Sequence, residues 1–294
     1  MMWPHDCVRH AEPLANYTSF RIGGPAEWFA EPSTVDELVG LLNEARHLAI
    51  PVTVMGGGTN CLVADRGVRG LVIRLGRAFR TVETLAHAED GYTQVHCGAS
   101  VITQRLVNLA GQHGWGGLDI LAGLPGQVGG AVMMNAQNIG QFVDQVRVAS
   151  FNGAKHVLTR EQLRFSYRYT AMDPGIVTDV IFRFAQVTPA DAADQIRRTL
   201  AYRNDTQDLK LPSAGCAFKN PPGQSAGRMI DQAGLKGARI GDAQVSRRHA
   251  NFIVNIGQAT CDDVLSLMEH IQRRVLGRFG LRLEPEVRLM GERW

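Results

Sequence analysis

Between Gly116 and Ala131 the chain reads GGLDILAGLPGQVGGA, and no other stretch is as dense in glycine. Apolar residues interleaved with glycines let a backbone lie tightly against a flat surface, either a ligand or another part of the chain. A second loop of this kind precedes it. Ile50 to Met55 reads as a buried strand, and Gly56-Gly57-Gly58-Thr59-Asn60 follows directly. Glycines after a strand expose backbone N–H groups unobstructed by side chains, which is how a loop wraps a pyrophosphate. A glycine triplet taken alone also serves ordinary turns. It is neither the spaced dinucleotide fingerprint nor a P-loop, because no GK[ST] follows. Two such loops in one half of the chain favour a dinucleotide.

Local signals place these loops among helices and strands. Thr34 with Glu37 forms a capping box for a helix whose face carries Val35, Leu38, Val39, Leu42, Ala45 and Leu48. Trp28–Ala30, Leu71–Leu75 and Tyr92–Cys97 read as strands, and a helix is expected from about Val101 to His113. Val146–Phe151 and Ala154–Leu158 flank Asn152-Gly153, the dipeptide of a type I′ hairpin. Phe165-Ser166-Tyr167-Arg168-Tyr169 sets an arginine among aromatics, where a stacked structural role is the commoner one. Ile176–Phe184 is a long alternating strand.

Thr188-Pro189-Ala190-Asp191 then opens a helix, and the domain boundary is placed there. Ser225 caps a short helix ended by Gly234. Strands follow at Ala243–Val245 and Asn251–Asn255, and Thr260 with Asp263 caps a helix stopped by Gly280. Leu281–Met290 reads as a strand interrupted by Pro285, with Glu286 and Arg288 on one face.

The chemistry concentrates in Lys210–Pro222, KLPSAGCAFKNPP. If Cys216–Lys219 is extended, Cys216 and Phe218 share a face and Lys219 takes the other. A thiol beside Gly215 is a candidate acid, nucleophile or ligand, although a lone cysteine is more often buried packing. Lys210, Lys219 and Asn220 surround it with donors suited to an anion.

Length and composition narrow the class. The 294 residues suit two domains. The net charge of +3 is too small to suggest nucleic acid, though not a local anion site. The five cysteines, at 7, 61, 97, 216 and 261, have neither disulfide nor metal spacing, so reduced thiols in a cytoplasmic setting are expected. No apolar window is long enough for a membrane span, and the first ten residues lack the apolar core of a signal peptide.

Taken in order, TSFRIGGPAE, GGGTN, ADRGVRGLVIRL, LAGLPGQVGGAVMMNA, FSYRYT, AGCAFKNP, AGRMIDQAGLKG, AQVSRRHANFIVN and LEPEVRLMG are a specific set. The chain resembles the UDP-N-acetylenolpyruvoylglucosamine reductase (MurB) family from about Asn16 to Gly291. The resemblance implies an α+β protein. An FAD-binding region of the vanillyl-alcohol oxidase (PCMH) type would fill 1–187, in two subdomains split near 75, and a C-terminal α/β substrate domain 188–294.

It also implies noncovalent FAD, NADPH as reductant and a UDP-sugar enolpyruvyl ether as substrate, in peptidoglycan precursor synthesis. The protein would be a cytoplasmic monomer that needs no metal. NADPH would reduce the flavin, and hydride would then pass to the terminal carbon of the enolpyruvyl group. Carried over by motif, FAD would be held by Met55, Gly56, Gly57, Gly58, Thr59 and Asn60 of the first loop. In the second loop its contacts would be Gly123, Leu124, Pro125 and Gly126, then Val128, Gly129 and Ala131. Arg168 and Glu286 would work at the carboxylated enol ether, Cys216 would be the proton donor, and Tyr167, Lys210 and Asn220 would contact substrate.

The chain departs from the family pattern in three places. Cys216 stands where serine is usual, Gln127 where a small residue is common, and Gln137-Asn138-Ile139-Gly140 replaces a sequence nearer GAYG. Cys61 reads as a buried substitute for leucine. Competing readings are an FAD-dependent oxidase of the same fold and a non-catalytic nucleotide-binding protein.

Overall fold

The computed structural model describes residues 3, 7–87, 91–208 and 210–292. The chain forms two compact units that interleave along the sequence. The first comprises residues 1–9, 29–57 and 71–203, and the second 10–28, 58–70 and 204–294. A four-stranded sheet is ordered Val8–Pro13, Pro25–Ala30, Val68–Ile73, Val52–Val54.

The first unit is built on a five-stranded sheet ordered Val82–His87, Tyr92–Gly98, Gly175–Ala185, Val143–Ser150, Lys155–Thr159. Its centre is the strand expected at 176–184, with Val180 paired to Cys97 on one side and to Val146 on the other. Ile176, Val180, Phe182 and Phe184 are buried, and Trp115 stacks on Phe184 at 5.8 Å between ring centroids.

Helix α1 (Val35–His47) begins where Thr34 accepts the Glu37 N–H, an interaction that stabilises a helix start by about 1 kcal/mol. The Glu37 carboxylate closes the box one residue early, accepting from the Ser33 N–H at 2.6 Å. Leu38, Leu41, Leu42 and Ala45 are its buried face, so Leu41 replaces the expected Val39. Helix α2 (Thr103–His113) buries Leu106, Val107 and Ala110, and Val101 is buried just ahead of it. Helix α3 (Val128–Met133) begins within the glycine-dense stretch and runs past its end, and α4 (Pro189–Thr206) follows the long strand.

The hairpin after Ser150 is not type I′. Only Gly153 has a positive φ, while type I′ needs two such residues. The Gly153 N–H donates to the Ser150 carbonyl and the Ser150 N–H to the Ala154 carbonyl, each at 2.8 Å, which closes a three-residue loop. The Asn152 side chain accepts the Ala154 N–H, and that bond removes its need for a left-handed backbone.

The second unit has a four-stranded antiparallel sheet ordered Ser213–Cys216, Phe252–Asn255, Ala243–Val245, Arg239–Ile240. Helices α5 (Ala226–Gln232) and α6 (Cys261–Phe279) supply Met229, Ile230, Val264, Leu267, Ile271 and Val275 to its core. Each such side chain contributes about 2 kcal/mol before chain entropy is set against it. Thr260 and Asp263 form the expected reciprocal box, and Gly280 ends α6 in a left-handed conformation. Phe20, Ile22 and Leu62 complete this core from far upstream. Asp65 grips the start of α6, its two carboxylate oxygens accepting the N–H groups of Cys261 (2.8 Å) and Asp262 (3.1 Å).

The expected C-terminal strand shrinks to Arg288–Met290, paired in parallel with Cys61–Val63. Pro285 lacks the N–H that a continuing ladder needs, so it makes only a single bridge with Phe218.

Candidate functional site

In the first unit the two glycine loops meet. A Cβ on Gly57 would stand 3.2 Å from the Gly126 Cα and 3.4 Å from the Gln127 nitrogen, so only a bare backbone fits there without displacement. Met55 anchors the approach, buried and donating its N–H to the Ile73 carbonyl at 2.9 Å. Among the described residues no acceptor takes the backbone N–H of Gly56, Gly57, Gly126 or Gln127. Four uncommitted donors around a glycine contact fit a pyrophosphate.

Helix α2 fixes the opposite side of the second loop. The buried Thr103 donates its N–H to the Gly126 carbonyl (3.0 Å) and its hydroxyl to the Leu124 carbonyl (2.7 Å). The Gln104 side chain accepts the Gly123 N–H at 3.0 Å. Leu124 and Pro125 thereby sit in a loop whose carbonyls are tied down. Val128, Gly129 and Ala131 donate their N–H groups to the carbonyls of Val101, Ala99 and Gln127. They brace the loop, and contact with a ligand there falls to side chains, Cα atoms or carbonyls. Gln127 is 7% exposed, with its side-chain oxygen 3.7 Å from where a Gly56 Cβ would be. The family departure at this position is thus a buried polar side chain beside the first loop.

Arg168 belongs to the same unit. Arg164–Ser166 pairs with Tyr169–Ala171, and Tyr167 and Arg168 form the two-residue turn between them. Arg168 has a φ of 58° and lies over the Tyr167 ring at 5.3 Å. Tyr167 is exposed and Arg168 half-buried. The turn is anchored from behind. The buried Asn135 donates its amide to the Ser166 carbonyl (2.9 Å) and accepts the Gly140 N–H (3.0 Å), and the Thr170 hydroxyl donates to the Val132 carbonyl (2.6 Å). Asn135, Gln137 and Asn138 all have positive φ, so the departure from a glycine-containing pattern leaves side chains on left-handed backbone.

The second unit holds Cys216, Asn220, Glu286 and the rest of the first loop. Gly58 has a φ of 66°, and a Cβ there would stand 1.8 Å from the Tyr17 carbonyl oxygen. Ser19 fastens this turn, donating its N–H to the Gly58 carbonyl (2.9 Å) and its hydroxyl to the Ser213 carbonyl (2.6 Å). Thr59 follows. The Asn60 amide donates to the Glu286 carbonyl at 3.4 Å, and the Asn60 carbonyl accepts the Arg288 N–H at 3.1 Å.

The Glu286 N–H donates to the Ala217 carbonyl at 2.8 Å, which joins the residue after Cys216 to the glutamate. Asn251, 2% exposed, clasps the same segment. Its carbonyl accepts the Ala217 N–H, its side-chain oxygen accepts the Phe218 N–H, and its amide donates to the Phe218 carbonyl.

Strand alternation over 216–219 does not hold. The pairing steps from Ser213 opposite Val254 to Cys216 opposite Phe252, a bulge at Gly215, whose φ is 75°. Phe218 is fully buried, while Cys216 stays half-exposed instead of following it into the core. Lys219 reaches Glu284 at 3.2 Å. Lys210 and Asn220 are exposed, and the Asn220 side-chain oxygen accepts the Ala226 N–H at the start of α5. Cys61 is buried in its strand, and burial pushes its thiol up to about 12, as it does for Cys97.

Comparison with known proteins agrees with both halves. The family model for an FAD binding domain matches residues 26–160. That for the UDP-N-acetylenolpyruvoylglucosamine reductase C-terminal domain matches 207–290. The UDP-N-acetylenolpyruvoylglucosamine reductase 2 of Symbiobacterium thermophilum is 43% identical over 290 residues, spanning 97% of this chain and 92% of the relative. The chain belongs to the UDP-N-acetylenolpyruvoylglucosamine reductase family.

The reductase of Myxococcus xanthus is likewise 43% identical, over 97% of this chain and 93% of its own. The crystal structure of UDP-N-acetylenolpyruvylglucosamine reductase from Thermus caldophilus superposes with a TM-score of 0.79 at 39% identity, covering 96% of this chain and 98% of that one. The fold is accordingly the α+β arrangement of an FAD-binding region and a reductase C-terminal domain, and the reductase is an oxidoreductase that uses FAD and NADPH. Among the described residues no helix is long and apolar enough to cross a membrane. Sequence reading missed Ser19, Thr103, Gln104, Asn135 and Asn251 as positioning residues. Each acts through a distant carbonyl or amide that no local pattern marks.

Proposed function

We propose that this reductase converts UDP-N-acetylglucosamine enolpyruvate to UDP-N-acetylmuramate with NADPH, as a cytoplasmic monomer in peptidoglycan precursor synthesis. The observation that supports the reading best is the bond from the Glu286 N–H to the Ala217 carbonyl, which fixes the expected proton donor and the expected glutamate in one hydrogen-bonded frame. Family membership weighs against the oxidase and the non-catalytic readings.

In this reading residues 1–187 serve the flavin and 188–294 chiefly the substrate, with Glu286 supplied near the final strand. Met55, the loop Gly56–Asn60, and Gly123, Leu124, Pro125, Gly126, Val128, Gly129 and Ala131 of the second loop would hold FAD. FAD held there would supply the hydride, originating from NADPH, that the terminal carbon of the enol ether receives. Hydride addition leaves an electron pair on the neighbouring carbon, shared with its carboxylate. Arg168 places a cation where that charge develops, and Tyr167 packs beside it. Glu286 keeps the arginine or the acid in place, or acts in its protonated form, since a bare carboxylate would repel the developing charge. The Cys216 thiol gives its proton to the carbanion, and a half-exposed position suits that role better than a buried one would. Lys210 and Asn220 contact the substrate, the lysine at phosphate.

Following NADPH oxidation with and without the enolpyruvyl nucleotide tests the proposal. Substrate-dependent oxidation with formation of the lactyl ether is expected. Oxidation that depends on oxygen alone would return the oxidase reading.

A further inference from the structure

The last helical turns of α4 carry a buried guanidinium that, among the described residues, forms no ion pair. Arg203 is 8% exposed. Its Nη2 donates to the Ile120 carbonyl at 2.7 Å, while its Nη1 is buried with no hydrogen-bond partner among the described residues. The Asp119 charge acts on it from a distance, while the Asp119 carboxylate accepts from the Thr199 hydroxyl at 3.5 Å. An ionised guanidinium taken out of water without a counter-charge is unfavourable, and arginine does not escape by losing its proton. Retaining it there calls for an anion from outside the chain.

Its position indicates which anion. A Cβ on Gly123 would stand 3.5 Å from the Arg203 Cδ, so the arginine stem lies directly against the second glycine loop. Three residues further along that loop is Gly126, whose N–H is among the four uncommitted donors. The FAD-binding family match ends at residue 160, well short of Arg203.

We propose that Arg203 is a cofactor-binding residue of this enzyme, its Nη1 donating to a phosphate oxygen of FAD. The proposal rests on FAD occupying the glycine loops. The guanidinium supplies the positive charge that neutral backbone amides lack, and the flavin nucleotide in turn relieves the buried cation. A phosphate is charged whether the flavin is oxidised or reduced, so the contact persists through turnover and belongs to retention of the cofactor.

The test uses the full chain stripped of flavin, as wild type, Arg203→Met and Arg203→Lys. FAD affinity is read by quenching of flavin fluorescence, and apoprotein melting is followed with and without inorganic pyrophosphate. Arg203→Met should bind FAD about tenfold to a hundredfold more weakly, the effect of losing a charged hydrogen bond. Its apoprotein should melt no lower than the wild type, because an unpaired buried charge has been removed. Pyrophosphate should raise the wild-type melting temperature and leave that of Arg203→Met unmoved. Arg203→Lys, which keeps the cation, should fall between the two in FAD affinity and supplies the answer if the methionine variant does not fold. FAD affinity unchanged in both variants, with a lower apoprotein melting temperature, would make Arg203 a strut for Ile120 and overturn the proposal. So would unchanged FAD affinity with a shifted flavin midpoint potential, which would place the cation at the isoalloxazine ring.

Discussion

The Ala217 carbonyl accepts the N–H of Glu286 at 2.8 Å, across a sequence separation that spans most of the C-terminal region. A backbone bond is indifferent to side-chain identity, so the frame around the expected acid survives the family's serine being replaced by Cys216. Substitutions at 216 therefore read out proton chemistry with little disturbance of position.

Asn251 holds that frame, and its loss has a calculable cost. Asn251→Ala removes two side-chain bonds to Phe218 and strands a buried N–H and carbonyl, which should destabilise the fold by about 2–4 kcal/mol. Urea unfolding measures this. A midpoint equal to that of the wild type would show that the clasp is redundant.

Arg168, Glu286 and Cys216 act, in the proposed mechanism, only after flavin reduction. Stopped-flow should show Arg168→Ala, Glu286→Gln and Cys216→Ala reducing flavin with NADPH at nearly the wild-type rate. Reoxidation by substrate should slow about a hundredfold or more. Cys216→Ser should retain substantial turnover. Equal losses in both half-reactions would sink the role assignment. Asn135→Ala, which frees the turn carrying Arg168, should show the same asymmetry in weaker form.

FAD should leave the protein on denaturation. A thiol raised to about 12 is almost entirely protonated at neutral pH, so Cys61 is a poor nucleophile toward either flavin or iodoacetamide. Filtration after denaturation should separate the yellow colour from the polypeptide, and mass analysis after native alkylation should find Cys61 unmodified.

Gln137 is exposed on left-handed backbone, at a φ of 50°. Gln137→Gly should stabilise the protein by about 0.5–1 kcal/mol, since relief of side-chain strain outweighs the extra entropy of glycine in the unfolded chain. The melting temperature should rise by roughly 1–3 °C, the scale for a chain of this size. A fall would mean that the Gln137 side chain makes a contact of its own.

His249 links stability to acidity. Burial first, and the Lys236 charge second, lower its pKa below the ordinary 6.5. Its Nδ1 is buried and has no hydrogen-bond partner among the described residues. As pH falls through the unfolded value, the unfolded chain takes up a proton that the folded chain refuses. Stability is complete above that value and drains away below it. Thermal scans from about pH 7 to 5 should show a shallower decline for His249→Gln than for the wild type. Parallel slopes would assign the acid sensitivity elsewhere.

What the sequence disclosed follows from the range of each interaction. The starts of α1, α5 and α6 were legible because a cap and its partner lie three residues apart. The glycine loops were legible because each is continuous in the chain. The bulge at Gly215 was not, since the register of Ser213–Cys216 is set by Val254 and Phe252. The Asn152-Gly153 turn was misjudged because Asn152 satisfies the Ala154 N–H from its side chain. The short final strand was misjudged because its partner, Cys61–Val63, lies more than two hundred residues upstream. Asn251 and Asn135 looked like any other amides until the carbonyls they serve were in place.

Asp65 completes the start of a helix synthesised 197 residues later. At ribosomal rates of roughly 5–20 residues per second, that carboxylate waits on the order of 10–40 s for its partners. Phe20, Ile22 and Leu62 wait with it, apolar and without their core. The interleaved chain thus carries an aggregation-prone interval into its own biosynthesis. A nascent chain halted before α6 should be a chaperone client, whereas one that includes the final strand Arg288–Met290 should not.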